Sequence, residues 1–562
     1  MDNQYILDQL ELTAKLLELH DQNEFKIKNF NSAVFNLDKY AGDLATIEVE
    51  DLAKMFGVGK SIAGKIDEIR TTGTCTDLTD LLADTPEGVI KMFAIKGIGP
   101  KKVRLIWKEL NIIDTHELLL ACENGEVAKL KGFGDKIQAG IIESILFAQS
   151  KASKMRMNKG EILAQVIEIE LNKNFKKVKT VGDILRKNEE VDLLQFVVIA
   201  DSFNDFFEKI EMIPELNINK NSSPFIWRGT FADNNIPVEI HFSNESDFAF
   251  KCFQYSANEK HFGKNINGKT LLQVAFNQSF INEIDIYQSL NLPYILPEMR
   301  EGLNEWNWAE KYKNDDLVVW SDLKGIVHNH STYSDGVHTL EQMAQHCKDL
   351  GYEYFGIADH SKTATYAKGL PVERVEMQHR EIDELNKKMH PFKILKGIES
   401  DILGDGSLDY DNNVLATFDY VVASIHSNLK MTQEKAMSRL IPAIENQYTT
   451  ILGHPTGRLL LEREGYPIDH KRVIDACAAN GVVVEINASP YRLDIDWRWI
   501  YYAMEKGVLL SINPDAHKME GFQDMHYGLA NARKGGLVKS MTFNAFSLAD
   551  MELFLAKKKG QI

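Results

Sequence analysis

Over the first 150 residues apolar side chains recur at spacings of three and four, as in Leu7, Leu10, Ala14 and Leu17. That period predicts a series of short helices, each with one apolar stripe. Between them lie three glycine turns of similar form: Phe-Gly57-Val-Gly59-Lys, Lys96-Gly97-Ile-Gly99-Pro and Lys-Gly132-Phe-Gly134-Asp. A helical run follows each, so the three form a weak internal repeat. From 156 to 260 the pattern changes. A helix over about 157–174 leads into β-rich runs such as LLQFVVIA, SPFIWRGTF and IPVEIHF, which reads as α+β. A helical stretch continues to about 300, and 302–321 reads as a linker with a short amphipathic piece. From 322 onward seven short apolar runs alternate with helical segments: GIVHNH, YFGIAD, KILKGIES, YVVASIH, TTILGH, VVVEINA and LLSINPD. Regular β-then-α alternation predicts parallel strands with helical crossovers. Seven such strands suggest a barrel, with its chemistry at the C-terminal strand ends.

Composition adds limits. Of 562 residues, 44% are hydrophobic and 26% charged, an ordinary globular mix that can bury several cores. No stretch approaches the roughly 18 consecutive apolar residues of a membrane span. The acidic N-terminus lacks a basic region followed by an apolar core, which argues against secretion. Cys75, Cys122, Cys252, Cys347 and Cys477 lie far apart with no C-x-x-C. This excludes a disulfide scaffold or a thiolate zinc knuckle and suits a cytoplasmic protein. The net charge of −17 argues against nonspecific nucleic-acid binding by the surface as a whole. Residues 91–108 nevertheless hold six Lys or Arg and no acid, and 12 of the 16 histidines lie from 322 onward.

Those histidines and several carboxylates fall at the ends of the C-terminal strands. They are His328 and His330, Asp335, Asp359-His360, Glu399-Ser-Asp401, His426, His454, and Asp515 with His517. Two histidines at i and i+2 on a strand share a face, so both can ligate one ion. Imidazole and carboxylate together suit Zn, Mn or Fe rather than Ca. One lone histidine would ordinarily be structural, but five consecutive strand ends carrying ligand types are hard to assign to chance. His338, His346, His379, His390, His470 and His526 fall in helices or loops and are left as structural. Arg458 and Arg492 follow two strand candidates and could clamp a phosphate, since a guanidinium suits it. A structural ion pair is equally open for both.

The motifs HNHSTYSDG, ADHS, GIESDI, SIHS, GHPTGR and INPDAH resemble the polymerase-and-histidinol-phosphatase (PHP) family. The resemblance implies a distorted (βα)7 barrel that binds two to three divalent ions for phosphoester hydrolysis. All nine ligand positions are filled. By resemblance, His328, His330, Glu399 and Asp515 hold one ion. Glu399 bridges to a second, shared with His426 and His454, and Asp335, His360 and His517 hold the third. Glu399 and Asp515, with Arg458 and Arg492, are then the candidate catalytic residues. Ile326 departs from a common Asp two residues before the first His, but that is not a ligand position.

The three glycine turns resemble helix-hairpin-helix elements, in which glycines let the backbone approach phosphate without reading sequence. One Gly-x-Gly would be weak evidence; three, one in a basic segment, favour DNA binding. Gly57, Gly59, Lys65, Lys96, Gly97, Gly99, Lys101, Lys102, Arg104, Gly132 and Gly134 are the candidate contacts. The order of units resembles a bacterial family X DNA polymerase with a C-terminal PHP domain. It implies a helix-hairpin-helix N-terminal domain over 1–90, a fingers-like domain over 91–155 and a palm over 156–260. A thumb would occupy 261–301, a linker 302–321 and the PHP domain 322–562. The palm departs from the family where it matters. Gly182 and Arg186 fit its phosphate motif, but Asp183 replaces Ser and Leu185 replaces Arg. Leu193 and Gln195 stand where metal carboxylates belong, leaving Glu239. Lys65 matches a Schiff-base lysine of some members, though a lysine facing DNA phosphate is the plainer reading.

The implied function is a monomeric, cytoplasmic DNA-repair nuclease. It would act as a 3′–5′ exonuclease through its PHP domain on gapped, nicked or 3′ DNA ends, with polymerisation lost. A small-molecule phosphatase and a noncatalytic DNA-end scaffold are the alternatives.

Overall fold

The computed structural model describes residues 3–560 apart from 41, 96, 152–153, 220, 233–235 and 277–279. The chain forms two units, residues 1–152 and 153–562. No helix among the described residues is long and apolar enough to cross a membrane.

The first unit is helical, with helices that include Asn3–Leu19, Glu24–Leu37, Gly59–Thr72, Pro100–Leu110 and Asp135–Lys151. The apolar stripe read from spacing is the one that packs: Leu7, Leu10, Ala14 and Leu17 are all buried with Phe30, Ile62, Ile66 and Val103. Side-chain caps start some helices. Asn23 accepts from the Phe25 amide, and Asp114 from the amides of His116 and Glu117. These bonds satisfy first-turn donors that have no partner within a helix.

The second unit begins with the mixed α/β segment. A two-stranded ribbon pairs β1 (Met155–Arg156) with β3 (Glu190–Val191). A five-stranded sheet joins β2 (Val178–Val181), β4 (Leu194–Ile199), β5 (Leu216–Ile218), β6 (Ile226–Phe231) and β7 (Pro237–Ser243) in the order β2-β4-β7-β6-β5. Helices Met157–Asn174 and Phe203–Glu211 bury Ala164, Ile167, Phe206 and Ile210 against one face. Helix Phe248–Gln254 covers Val181, Val197 and Ile199 on the other. A small hairpin of β8 (Asn265–Ile266) and β9 (Lys269–Thr270) follows.

Residues 302–321, expected as a linker, include helix Glu305–Lys311, whose Trp308 is buried and donates to the Gly536 carbonyl at 2.7 Å. Leu317 and Val318 join the same core. The tryptophan pattern that read as merely amphipathic is the face packed on the barrel.

The seven expected strands are present: β10 (Gly325–Ile326), β11 (Tyr354–Ile357), β12 (Lys393–Asp401), β13 (Tyr420–Ser424), β14 (Ile451–Leu452), β15 (Val483–Asn487) and β16 (Leu510–Asn513). Each lies parallel to the next in chain order. A parallel bridge from Asn329 to Ala516, with the His330 amide donating to the Ala516 carbonyl at 2.8 Å, draws first and last strands together. The barrel is thus nearly closed. Strand alternation decides what faces inward. Ile394 and Ile398 join the surrounding core, whereas Leu395 packs inside with Tyr420, Val422, Ile451 and Val483. Phe543, Met551 and Leu555 from the C-terminal segment join that interior cluster. By the same period Glu399 and Asp401 continue the inward row of Leu395, and Glu485 and Asn487 that of Val483.

Candidate metal centre

The polar ends of those inward rows meet at one end of the barrel. His328, His330, Glu399 and His454 are essentially fully buried, His360 nearly so, and Asp335, His426, Asp515 and His517 line the opening. His328 (φ 63°) and Asp515 (φ 52°) adopt left-handed backbone, rare for residues with a side chain and common where a site fixes geometry. All nine expected ligand residues therefore converge.

Glu399 is the centre. Its Oε1 lies 3.0 Å from His454 Nε2, 3.1 Å from His426 Nε2 and 3.3 Å from His328 Nε2. Its Oε2 lies 2.9 Å from His360 Nδ1 and 3.8 Å from His330 Nε2. Asp515 Oδ1 approaches His330 Nε2 at 3.0 Å. Asp335 Oδ1 sits 3.4 Å from His517 Nε2 and 3.7 Å from His360 Nε2. The ligand atoms gather into four overlapping groups: His330, Asp335, His360 and His517; His328, His454 and Asp515; His328, His330 and Glu399; and His360, Glu399 and His426. His328, His330, His360 and Glu399 each belong to two groups, so the residues share neighbours more freely than three separate sets imply.

These residues fit divalent ions. Glu399 Oε2 and His360 Nδ1 are buried and close together, yet neither makes a hydrogen bond; His330 Nδ1 and His454 Nδ1 are also buried without partners. Buried polar atoms without partners are costly, and a cation serves those that carry a lone pair. The cluster thus has the capacity to bind one or more divalent ions.

Several carboxylates stand behind these residues; Asp359 and Asp401 were noted at their strand ends without this role, and Glu485 escaped the sequence reading. Glu485 accepts from His328 Nδ1 at 2.5 Å and from the His454 amide at 3.1 Å. Asp401 accepts from His426 Nδ1 at 2.5 Å. Each fixes a ring so that its Nε2 faces Glu399, the role carboxylates play behind metal-bound imidazoles. Asn513 donates to Glu485 at 2.8 Å, and Asn487 to Asp515 at 3.1 Å. The available signal was a polar i, i+2 pair inside an apolar strand, Glu485 and Asn487. Asp359 is fully buried and receives Ser331, Ser334 and Gln378, which holds the first loop.

Arg492 points to the centre, its Nε 3.8 Å from Asp515 Oδ2. Arg458, expected beside it as a clamp, does not. Its guanidinium is taken up by Asp496 at 2.9 Å and by the carbonyls of Arg492 and Leu493. Asp496 competes with any phosphate for that charge, which is the ion-pair alternative left open for Arg458. His526, left as structural, pairs with Glu161 at 2.9 Å.

In the first unit, among the described residues and apart from immediate chain neighbours and a helix's own backbone, nothing lies within 4 Å of where a side chain would begin at Gly59, Gly97, Gly99, Gly132 and Gly134. Gly97 (φ 90°) and Gly132 (φ 83°) need the left-handed backbone that glycine allows. Gly57 instead abuts Asn36 and Ser32. Lys101 is exposed, 3.9 Å from Glu18; Arg104 pairs with Asp21 at 2.7 Å, and Lys102 donates to the Gly97 carbonyl at 3.2 Å. Lys96 lies outside the described residues. Lys65 is held by Glu68 at 2.9 Å with Asp77 at 3.9 Å. Partial burial would lower its pKa, but these carboxylates raise it, opposite to what an amine nucleophile needs.

A nearly closed seven-stranded parallel barrel with this histidine–carboxylate centre, in a chain that begins with helical glycine hairpins, defines a metal-binding PHP-type protein with a helix-hairpin-helix region. Family profiles agree: the helix-hairpin-helix domain matches residues 1–75 and the PHP domain residues 327–489. The chain is 33% identical to the DNA polymerase/3′-5′ exonuclease PolX of Bacillus subtilis, over 99% of its own length and 100% of the relative's. It belongs to the family of family X DNA polymerase-like proteins with an N-terminal helix-hairpin-helix region and a C-terminal PHP domain. Its C-terminal part is also 26% identical to a probable phosphatase of Thermoanaerobacter sp. (strain X514), over 42% of this chain and 95% of that one. A probable phosphatase of Caldanaerobacter subterraneus is 33% identical over 23% of this chain and 53% of the relative.

Proton content gives a test. Burial lowers imidazole pKa, but Glu399 and Asp401 outweigh it at His426, which rises to about 10, and Asp335 and Asp515 do so at His517, which rises to about 9. His330, buried beside His517 and His360, falls to about 3. At His328 the carboxylates of Glu485, Asp515 and Glu399 likewise outweigh burial and hold the pKa well above the ordinary imidazole value. The ion-free centre therefore holds protons on His328, His426 and His517 at neutral pH, and metal must displace them. Metal affinity should increase with pH between about 7 and 9, with about three protons released per loaded protein at pH 7.5. Calorimetry in buffers of different ionisation heat measures this, and no release would contradict the assignment.

Proposed function

We propose that the protein is a metal-dependent phosphodiesterase that shortens DNA from its 3′ end in DNA repair, in the cytoplasm and as a monomer. The observation that carries this is the convergence of nine ligand-type side chains, with buried lone pairs left without donors, in a chain whose full length resembles a polymerase/exonuclease. Two or three Zn, Mn or Fe ions would be held by His328, His330, Asp335, His360, Glu399, His426, His454, Asp515 and His517. Such ions neutralise phosphate charge and acidify water, which is what a repelled, stable diester requires. The chain's own residues do the rest. Glu399 and Asp515 hold the centre together, Glu485 and Asp401 fix ring orientation, and Arg492 meets a phosphate oxygen beside Asp515. The functional parts would be those expected at 1–90, 91–155, 156–260, 261–301 and 322–562. The test is release of nucleotides from a 3′-labelled gapped oligonucleotide by metal-loaded protein, compared with Glu399→Ala. That variant should lose metal and at least about 100-fold in rate while staying folded. Full activity in Glu399→Ala would refute the assignment.

The barrel-length relatives named as probable phosphatases support a second reading, a small phosphomonoester substrate. A kcat/KM on such an ester above that on DNA would favour it.

DNA would be held without regard to sequence by the first unit, where open glycine turns leave room for a phosphate backbone and Lys101 is exposed. Lys101→Ala with Lys102→Ala should weaken binding equally on unrelated sequences and flatten the salt dependence by about one to two log units per log unit. Equal binding by residues 315–562 alone would count against this.

The palm-like segment would not polymerise. Leu193 and Gln195 offer no anionic ligand, and Glu239 is already paired with Arg228 at 2.7 Å and Gln195 at 3.1 Å. His241 and Arg228, against partial burial, lower Glu239 to about 2. A guanidinium thus occupies the carboxylate that a metal pair would need. Primer extension with Mg²⁺ or Mn²⁺ in the Glu399→Ala background should give no templated product. Extension abolished by Glu239→Ala would overturn this reading.

A further inference from the structure

Two residues of the palm-like segment reach the barrel's loops from one small ribbon. Arg156 is on β1, opposite Glu190 on β3, and Glu189 immediately precedes β3. Glu189 accepts from Trp497 Nε1 at 2.9 Å and Arg498 Nη1 at 2.8 Å. Arg156 goes further toward the centre. Its Nε donates to the Leu460 carbonyl at 3.0 Å, its Nη2 pairs with Glu462, and its guanidinium carbon sits 4.1 Å from the Tyr491 ring centroid. One side chain thus touches both the loop after β14 and the loop after β15.

Those loops act together. The Leu460 amide donates to the Tyr491 carbonyl at 2.6 Å, and Arg458 Nε to the Arg492 carbonyl at 2.9 Å. Asp494 accepts from the amides of Thr456 and Gly457 at 2.8 and 2.9 Å. Arg492, next to Tyr491, is the guanidinium 3.8 Å from Asp515. The outer faces of these loops are half open to solvent, with Glu462 50% and Tyr491 47% exposed. Arg156 is the palm's hold on both.

We propose that Arg156 is a positioning residue for the barrel's reaction: it clamps the two loop tips so that Arg492 is fixed where the phosphate of a nucleic-acid end would lie. This rests on the phosphodiesterase reading above. A carboxylate, a carbonyl and an aromatic face must be met at once, and a planar guanidinium does this where an ammonium reaches only some of them. Glu189 docks the ribbon on Trp497 and Arg498, and reaches the tips only indirectly, through Asp496 and Arg458, whereas Arg156 touches them itself. Loss of Arg156 therefore loosens Arg492 while leaving the ribbon docked and the metal ligands in place.

The test uses full-length, metal-loaded protein and a 3′-labelled oligonucleotide. Arg156→Ala should raise KM about tenfold with kcat within about twofold and metal content unchanged, as expected for a misplaced binding group. Arg156→Lys should recover part of the loss, and Glu462→Gln should shift KM in the same direction by less. Arg156→Ala should add little in an Arg492→Ala background, since the two act through one contact. An unchanged KM, full multiplication of the two effects, or metal loss in both Arg156→Ala and Glu462→Gln would overturn the proposal. No hydrolysis by the unsubstituted protein would instead remove the phosphodiesterase reading on which it rests.

Discussion

A buried carboxylate organises the barrel. Glu399 is fully buried, and a buried carboxylate kept ionised without compensation costs several kcal/mol even after relaxation. Imidazoles from four other strand ends supply that compensation: burial would raise the pKa of Glu399, but His426, His328 and His360 hold it well below the ordinary range. The compensation is itself conditional. Each ring needs its far nitrogen satisfied, which is why Glu485 stands behind His328 and Asp401 behind His426. The result is an excess of buried negative charge that only cations can balance. Protons on His328, His426 and His517 balance it partly, and divalent ions would take their place.

The palm-like sheet solves the same electrostatic problem in the opposite way. Register places Gln195, Glu239 and Arg228 side by side on adjacent strands. One carboxylate meets one built-in cation. Asp183, in place of a phosphate-motif serine, accepts from Arg186 at 2.9 Å, Asn188 at 2.7 Å and the Asp192 amide at 3.1 Å. The turn that would greet a triphosphate is therefore closed on itself by its own anion.

What could be read beforehand follows from this contrast. The seven strands were legible because strand period and chain order coincide, and most of the histidines and carboxylates end the run that predicts their own strand; the set of nine ligands was implied by the resemblance to the PHP family. The supporting carboxylates were not legible in that role, because Glu485 meets His328 across 157 positions of sequence, and only barrel closure brings them together. Asp401 stood in a quoted motif with no role because its partner His426 belongs to the neighbouring strand. Arg458 and Arg492 are alike in sequence and separate only when Asp496 is seen to take the first. Trp308 looked like part of a tether because its partner, the Gly536 carbonyl, lies far along the chain.

The palm–barrel contact carries a further implication through its chemistry. Its members are charged: Glu189 pairs with the half-exposed Arg498, and the buried Lys534 with Glu301 at 2.7 Å and the Arg186 carbonyl at 2.8 Å. Lys534 is wholly shielded, beneath the Trp497 ring at 4.5 Å. Burial lowers its pKa, so its charge depends on keeping Glu301 in place. Buried pairs of this kind add little net stability compared with apolar residues of the same shape, yet breaking one costs about 3–5 kcal/mol. An apolar contact would let the palm slide on the barrel at small cost. A contact made of paired charges and directed hydrogen bonds has one geometry in which every group is satisfied. The same ribbon that ends in Glu189 presents Arg156 to the loop tips, so holding the palm in that geometry also holds the rim of the metal centre.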